Sequence, residues 1–460
     1  VCVSQYDVLS IRTKGAFNIT YTREYEEGER KINVDLYREI WNIQDWKNIK
    51  NSTQENYMLM TDLDVINEGN SINLNRVDGI INGNNHKISN IKLKNSNLIS
   101  NLYGELRNLE IVNFEQEDIR GGLIEYTTQA GAVIDNVHMS NVNIKMTGSG
   151  YCGGFLATGN NITISNSSIN NINITTEREQ IADTSYIGGI LGYSSQNISV
   201  INCYVRNLNI TNKNAVSAAT GGISGIMFSG ASIENCYVEG KIASDVQDTG
   251  GIIGFADITV IENCYAKVDI ISNNKNVGGL IVTYSNASSA FDYNVKNNLS
   301  IGNLYTTEGE DTLDRIVGNK NNFETENYAY ENQLINGYVN EEELGATLLN
   351  RDQVLQLNLG EAYAYETDIS KGILPKLYNT DGTELLKNQT DIFLEDKVDL
   401  NIEQVEAEKR NTTEAEISIL INNPQEVEIT KIEIEDMNCE ITRNVTQNGQ
   451  TSITVRATPN

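Results

Sequence analysis

The stretch Ile187–Val205, IGGILGYSSQNISVINCYV, holds the two phrases whose recurrence decides the fold. The first, a diglycine followed by an apolar residue, recurs as Gly121-Gly122-Leu123, Gly153-Gly154-Phe155, Gly188-Gly189-Ile190, Gly221-Gly222-Ile223, Gly250-Gly251-Ile252 and Gly278-Gly279-Leu280. The second, VINCYV from Val200, returns as IENCYV from Ile233 and IENCYA from Ile261. Degenerate copies are ISNSSI from Ile164, IDNVHM from Ile134 and LRNLEI from Leu106. A period of about 30 residues marks a solenoid, in which each unit buries its apolar face only against the next.

Local chemistry selects the kind of solenoid. Helical repeats need amphipathic runs of about ten residues or more, and this stretch has none. It offers instead short Ile- and Val-rich pieces such as ILGY, ISVI and YVRNLNI, separated by Asn, Ser, Thr and Gly. That pattern predicts about three strands per unit of a parallel β-helix, with coils stacked about 4.8 Å apart. The glycine pairs fit corners with positive φ, or places where a Cβ would strike the next coil. The frequent asparagines suit turns and stacked amide ladders.

Composition narrows the function. The chain has 460 residues, 39% of them hydrophobic and only three proline, as in folded domains and not in a disordered stalk. A net charge of −28 argues against nucleic acid and anionic membrane surfaces. From Thr307 onward 31 acidic residues face 12 basic ones, so the last third carries most of the excess, and solubility is its simplest reading. No apolar run is long enough to insert into a membrane.

The expected organisation is all-β. Residues 1–33 read as the tail of a preceding β module, with two strands about a Lys14-Gly15 turn. Residues 34–70 read as a helical cap and opening strand. Leu36, Ile40, Ile43 and Trp46 fall at helical spacing over Asp35–Ile49, with Asp45 able to cap a final turn. The β-helix fills 71–330, and a capping and exit segment fills 331–388, with a second short helix over Asn350–Leu357. Residues 389–460 read as a β-sandwich-like module, truncated at its end. There Ala415, Ile417, Ile419 and Ile421 alternate with polar residues, Val427, Ile429, Ile432 and Ile434 continue the pattern, and Asn448-Gly449 marks a hairpin.

Two quoted stretches carry a resemblance. NYMLMTDLDV (56–65) followed by VDGIINGNNHKISNIKL (77–93) resembles the opening of β-helical regions in large Gram-positive surface proteins, with Asn82 where Asp is usual and Asn85 where Gly is usual. The diglycine phrases resemble the GLUG motif. The arrangement over about residues 40–380, ending in GILPKLY at Gly372, resembles the non-catalytic part of IgA-protease-like zinc metallopeptidases and related adhesins. The resemblance implies a right-handed β-helix in a secreted or cell-wall-attached bacterial protein, beside other domains of a longer parent chain.

Candidate chemistry is sparse. The metallopeptidase motif H-E-x-x-H is missing: the only histidines are His86, followed by Lys87, and His138, followed by Met139. Cys203, Cys236 and Cys264 share one repeat position. Stacked coils hold Cβ atoms about 4.8 Å apart, beyond the ~3.8 Å a disulfide prefers, so an inward ladder of inert thiols is expected. Cys2, Cys152 and Cys439 have no sequence partner. The adjacent Tyr204, Tyr237 and Tyr265 should form an outward ladder, and these three are the candidate binding residues. Trp41 and Trp46 could stack on sugars, though core packing explains them better. A carbohydrate-active β-helix would need carboxylates repeating in register, and Asp183 and Asp248 do not repeat. The loops at Asp62-Leu63-Asp64 and Asn379-Thr380-Asp381-Gly382 carry only part of a calcium ligand set.

The reading is therefore a non-catalytic rod, not an enzyme and without a cofactor, serving adhesion, ligand display or spacing, with a host protein or glycan as partner. Two alternatives remain: a substrate-recognition scaffold for a peptidase domain elsewhere in the parent chain, and a carbohydrate-active β-helix enzyme.

Overall fold

A computed structural model describes residues 17–26, 29–118, 120–128, 131–176, 182–213, 215–228, 230–245, 247–257, 259–273, 276–283, 295–307, 313–318, 326–339, 342–379, 385–394, 401–409, 415–422, 437–447 and 450–459. The Lys14-Gly15 and Asn448-Gly449 turns, Cys2, the apolar pattern at 427–434 and the loop at 380–382 lie outside them. The chain divides into two units, 1–393 and 394–460.

The first unit is a stack of coils joined by parallel pairing. One coil shows the plan. A short strand (Ile198–Ile201) leads through Asn202 to a long one (Tyr204–Asn212), then to a third (Ala215–Gly221), across the diglycine Gly221-Gly222, and to a fourth (Ser224–Met227). The coil thus has four strands, one more than the sequence suggested, because the long strand and the strand before the diglycine are separate ladders. Each pairs with its equivalent one coil away: Val200 with Ile164 and Ile233, Ile210 with Ile174 and Ile242, Gly221 with Gly188 and Gly250. Alternation decides which side chains enter. A column of Leu106, Ile134, Ile164, Val200, Ile233, Ile261 and Val295 runs through the interior in register. All seven are buried in one continuous core that reaches from Ile40 to Ala346. Each such side chain contributes about 1.5–3 kcal/mol by leaving water.

The corners decide between the two readings of the diglycines. The left-handed corner positions are held by asparagine: Asn166, Asn202, Asn235 and Asn263 have φ of 48, 51, 50 and 57°. Among the six diglycines only Gly122 has a φ in the positive region. The pairs are required by close approach instead. A Cβ on Gly189 would lie 2.3 Å from the Gly222 carbonyl oxygen, and one on Gly222 would lie 2.2 Å from that of Gly251. Asparagine tolerates the left-handed region and adds an amide that reaches the next coil.

The first end of the core also differs from expectation. Glu29–Ile40 is a strand, antiparallel to Phe17–Glu26, and its last residues, Tyr37–Ile40, pair in parallel with Asn56–Leu59. The helix expected over Asp35–Ile49 is confined to α1 (Ile43–Lys47). Ladder pairing outweighs helical spacing here, as tertiary contacts override weak propensity. Asn42, not Asp45, is the N-cap, accepting from the Gln44 and Asp45 amides. Trp46 is buried and donates from Nε1 to the Ile72 carbonyl at 2.9 Å. The second helix, α2 (Arg351–Gln356), begins with a capping box between Asn350 and Gln353. No helix among the described residues is long and apolar enough to cross a membrane.

The second unit contains one antiparallel sheet in the order 401–409, 415–422, 450–459, 437–447. Ile417, Ile419 and Ile421 join Ile453, Val455 and Ala457 on its apolar side. The second sheet that a sandwich requires is not among the described residues.

Candidate functional site

Three side-chain columns run along the stacked coils, and their environments decide what each can do. The inward column is Val137, Ser167, Cys203, Cys236, Cys264, Asn298 and Asn327. From the cysteines onward each side chain accepts the amide of the preceding coil: Cys203 N–H to Cys236 Sγ at 3.4 Å, Cys236 N–H to Cys264 Sγ at 3.4 Å, Cys264 N–H to Asn298 Oδ1 at 2.8 Å. Val137 N–H similarly donates to Ser167 Oγ at 3.1 Å. The expected thiol ladder exists and its sulfurs are acceptors at a buried corner. Cys152, Cys203, Cys236, Cys264 and Cys439 are thiols that form no disulfide. Burial pushes the Cys203 and Cys236 thiols well above their ordinary value, so they stay neutral.

The outward column beside it reads Lys87, Glu110, His138, Ser168, Tyr204, Tyr237, Tyr265 and Leu299. Tyr204 and Tyr237 stack at 5.0 Å between ring centroids, Tyr237 and Tyr265 at 4.8 Å, both pairs within a few degrees of parallel. The outward stack was expected, but its burial was not. All three tyrosines are fully buried, because residues 359–379 and 385–391 cross over them. Tyr204 OH donates to the Lys387 carbonyl, Tyr237 OH to Gln389 Oε1 at 3.0 Å, and Tyr265 OH to the Pro375 carbonyl at 2.9 Å. In return Tyr363 from the covering segment donates to the Asn263 carbonyl at 2.8 Å. Arg206 grips the Thr390 and Asp391 carbonyls at 2.7 and 3.2 Å. Leu359, Leu374, Leu377 and Leu386 are buried in the same segment. The proposed binding role of Tyr204, Tyr237 and Tyr265 is therefore corrected: in this structure they hold the covering segment. Phenol rings left open in a row would form an apolar patch, and covering them removes it.

Under the same segment lies His138, whose Nδ1 is 2.8 Å from Ser168 Oγ and whose Nε2 is 2.9 Å from Asn136 Oδ1. Burial, reinforced by the Lys387 ammonium and opposed by Glu110 and Asp135, holds its pKa down to about 4. It is a neutral, hydrogen-bonded histidine. His86 is far along the chain from it and contacts Asp62 Oδ1 at 3.1 Å near the surface. No cluster of metal-ligating groups exists among the described residues.

The third set of columns consists of amides. Asn90, Asn113, Asn141, Asn171 and Asn207 bend the long strands with φ between 48 and 63°. From Asn113 onward each Nδ2 donates to the Oδ1 of the asparagine before it, at 2.9, 3.0, 3.1 and 2.8 Å. Two residues on, Asn143, Asn173 and Asn209 form a parallel column with bonds of 3.0 and 2.7 Å. This side of the long strand is bare: Asn113, Asn141, Asn143, Asn171, Asn207 and Asn209 are exposed.

Sequence reasoning missed a further aromatic group. Tyr151 and Tyr186, each two residues before a diglycine, stack at 5.4 Å, and Tyr193 lies over Tyr151 at 4.9 Å. Their constant offset from the diglycine was the available signal. In the same ladder Asp248 sits between Ala219 and Asn276. Burial pushes its carboxyl up to about 6, against a 2.7 Å hydrogen bond from Asn276 Nδ2. Its ladder neighbours carry no second acid. Asp183 has no described side chain.

Comparison with known proteins completes the picture. No curated protein matches the sequence. Similar solved structures include a Bacteroides ovatus protein provisionally named an immunoglobulin A1 protease, at 18% identity and a TM-score of 0.40, covering 72% of this chain and 91% of that one. Another, named IgA1 protease, matches at 17% identity and a TM-score of 0.40, covering 67% of this chain and 25% of that one. Residues 183–211 match the family described as the GLUG motif. The coil that carries Gly188-Gly189, the Cys203 rung and the Asn202 and Asn207 corners is thus a GLUG motif within a parallel β-helix.

Proposed function

We propose that this chain is a non-catalytic β-helical rod that displays a binding surface or spaces other domains on the outside of a bacterial cell. One observation carries the reading: the repeated polar side chains are used between coils. Asn202 bonds Asn166, Cys236 bonds Cys203, Asn207 bonds Asn171, and Tyr237 is bonded beneath the covering segment. Repetition that serves stacking builds length and a regular surface, the properties of a spacer or an adhesive face.

The test is a glycan and host-protein binding array on the purified chain, with product analysis on the same polysaccharides. Selective binding without cleavage is expected. New reducing or unsaturated ends would overturn the reading in favour of a carbohydrate-active enzyme. Antibody labelling of intact cells checks the location, and signal only after lysis would refute it.

A further inference from the structure

The long strands present the tripeptides Asn141-Val142-Asn143, Asn171-Ile172-Asn173 and Asn207-Leu208-Asn209 at the same place in three consecutive coils. The middle residue of each is buried and fixes the strand, while the flanking asparagines are exposed, Asn173 only partly. The result is a two-by-three grid of amides. We propose that this grid binds an extended, uncharged β-1,4-linked polysaccharide lying along the coil axis, a proposal that rests on the rod reading above and names its ligand.

Three features argue for that occupant. The first is valence. An amide has two N–H donors and an acceptor oxygen with two lone pairs. The bonds between coils use one donor and one lone pair of Asn171 and of Asn173. One donor and one acceptor remain on each, the pair of partners that a sugar hydroxyl takes. The second is spacing. Coils repeat every ~4.8 Å, and an extended β-1,4-linked chain of pyranoses advances by nearly the same step per ring. Successive sugars would then meet equivalent amides, whereas a coiled α-1,4 chain loses register. The third is charge. The chain carries −28 overall, yet the grid itself is neutral, so an acidic polymer is repelled and an uncharged one is not.

The surface is also shaped for a chain. A hollow of about 430 Å³ is lined by Ile66, Asn90, Asn113, Asn141, Asn143 and Asn171. A neighbouring hollow shares Lys92, Glu115 and Asn143 with it and extends the depression toward Asn70. In this extension Lys92 pairs with Glu115 at 3.0 Å and Lys94 with Glu117 at 3.3 Å, and Lys145 adds a third cation to the lining. The tyrosine column gives no such site, because its hydroxyls are bonded to the covering segment.

The experiment titrates the whole chain with cellohexaose by calorimetry, with maltohexaose and an acidic galacturonate hexamer as comparators. Cellohexaose should bind at least tenfold more tightly than either. Asn143→Ala/Asn173→Ala/Asn209→Ala should lose tenfold or more, while Ser199→Ala/Ser232→Ala on the short ladder should bind as the parent does. Should the triple variant fail to fold, Asn173→Ala alone, flanked by intact neighbours, should lose several-fold. No cellohexaose binding, equal binding of maltohexaose, or binding unaffected by the asparagine changes would each overturn the proposal while leaving the rod reading intact. Shortening of the hexamer during the titration would overturn the rod reading and leave the binding face standing.

Discussion

In the coils that carry the amide column the long strand has two outward sides that meet at one residue. In Tyr204–Asn212 that residue is Asn207, with φ of 48°. Before it, Tyr204 and Arg206 point into the covering segment; after it, Asn209 and Thr211 face out. Both sides stand on the same aliphatic interior, so their difference comes from side-chain chemistry alone. Stacked phenols satisfy each other's faces but leave hydroxyls and ring edges over, and a second layer is needed to absorb them. Stacked amides satisfy one another coil by coil and keep spare valence for water. One side became a seat for another part of the chain and the other stayed a surface.

The closed side should break most severely. Tyr237→Ala removes the central ring of the stack and its bond to Gln389, and large-to-small changes of buried aromatics cost about 3–5 kcal/mol. Urea unfolding reads the loss, and hydrogen exchange should show residues 359–379 and 385–391 losing protection first. Loss of protection spread evenly over all coils would mean that the tyrosines do not specifically seat that segment.

Acid sharpens the contrast, because the covered side carries a buried base. His138 has a folded pKa of about 4 against an ordinary 6.5. Its stabilisation is complete above pH 6.5 and is lost as pH falls through 4, by about 3 kcal/mol. Asp248, raised to about 6 from 3.8, acts in the opposite sense: its stabilisation is complete below pH 3.8 and is lost as pH rises through 6, again by about 3 kcal/mol. The two offset each other in the native chain. His138→Gln should therefore gain stability relative to the parent as pH is lowered from 6.5 to 4, and Asp248→Asn should lose it. Parallel urea-midpoint curves for the parent and His138→Gln would show that His138 is not held neutral by the cover.

What was legible in the sequence follows the same division. The repeat announced the stacking, since a residue that returns every coil must meet its own copy: Cys203 on Cys236 and Asn171 on Asn207 could be foreseen from phrase alignment. The cover could not, because Tyr237 and Gln389 are 152 residues apart and belong to no shared pattern. An outward tyrosine and a buried one have the same strand periodicity, so alternation gave the direction of the side chain and not its fate. The diglycines were ambiguous for a related reason. Positive φ and close approach both select glycine, and it is the stacking of coils that sets the Gly251 carbonyl against Gly222. At the first end, helical spacing in Leu36–Trp46 lost to ladder pairing that depends on residues 56–59.

The smallest effects fall on the open side, and they separate two jobs that asparagine does there. Asn171 sits at the corner with φ of 56°, whereas Asn173 is not among the positive-φ residues, and each makes the same kind of bond to its neighbours. Asn171→Ala loses both the left-handed tolerance, worth about 1–2 kcal/mol, and the amide rungs. Asn171→Gly keeps the conformation and loses only the rungs. Asn173→Ala loses rungs with no conformational cost, so it and Asn171→Gly should each fall below about 1 kcal/mol in this solvated setting. The expected order in urea is Asn171→Ala well below Asn171→Gly and Asn173→Ala, which lie close together. Equal losses for Ala and Gly at 171 would place the whole contribution in the ladder. The corner would then be held by amide bonding between coils, and the division of the strand into two sides would follow from the stacking and not from the residue at its bend.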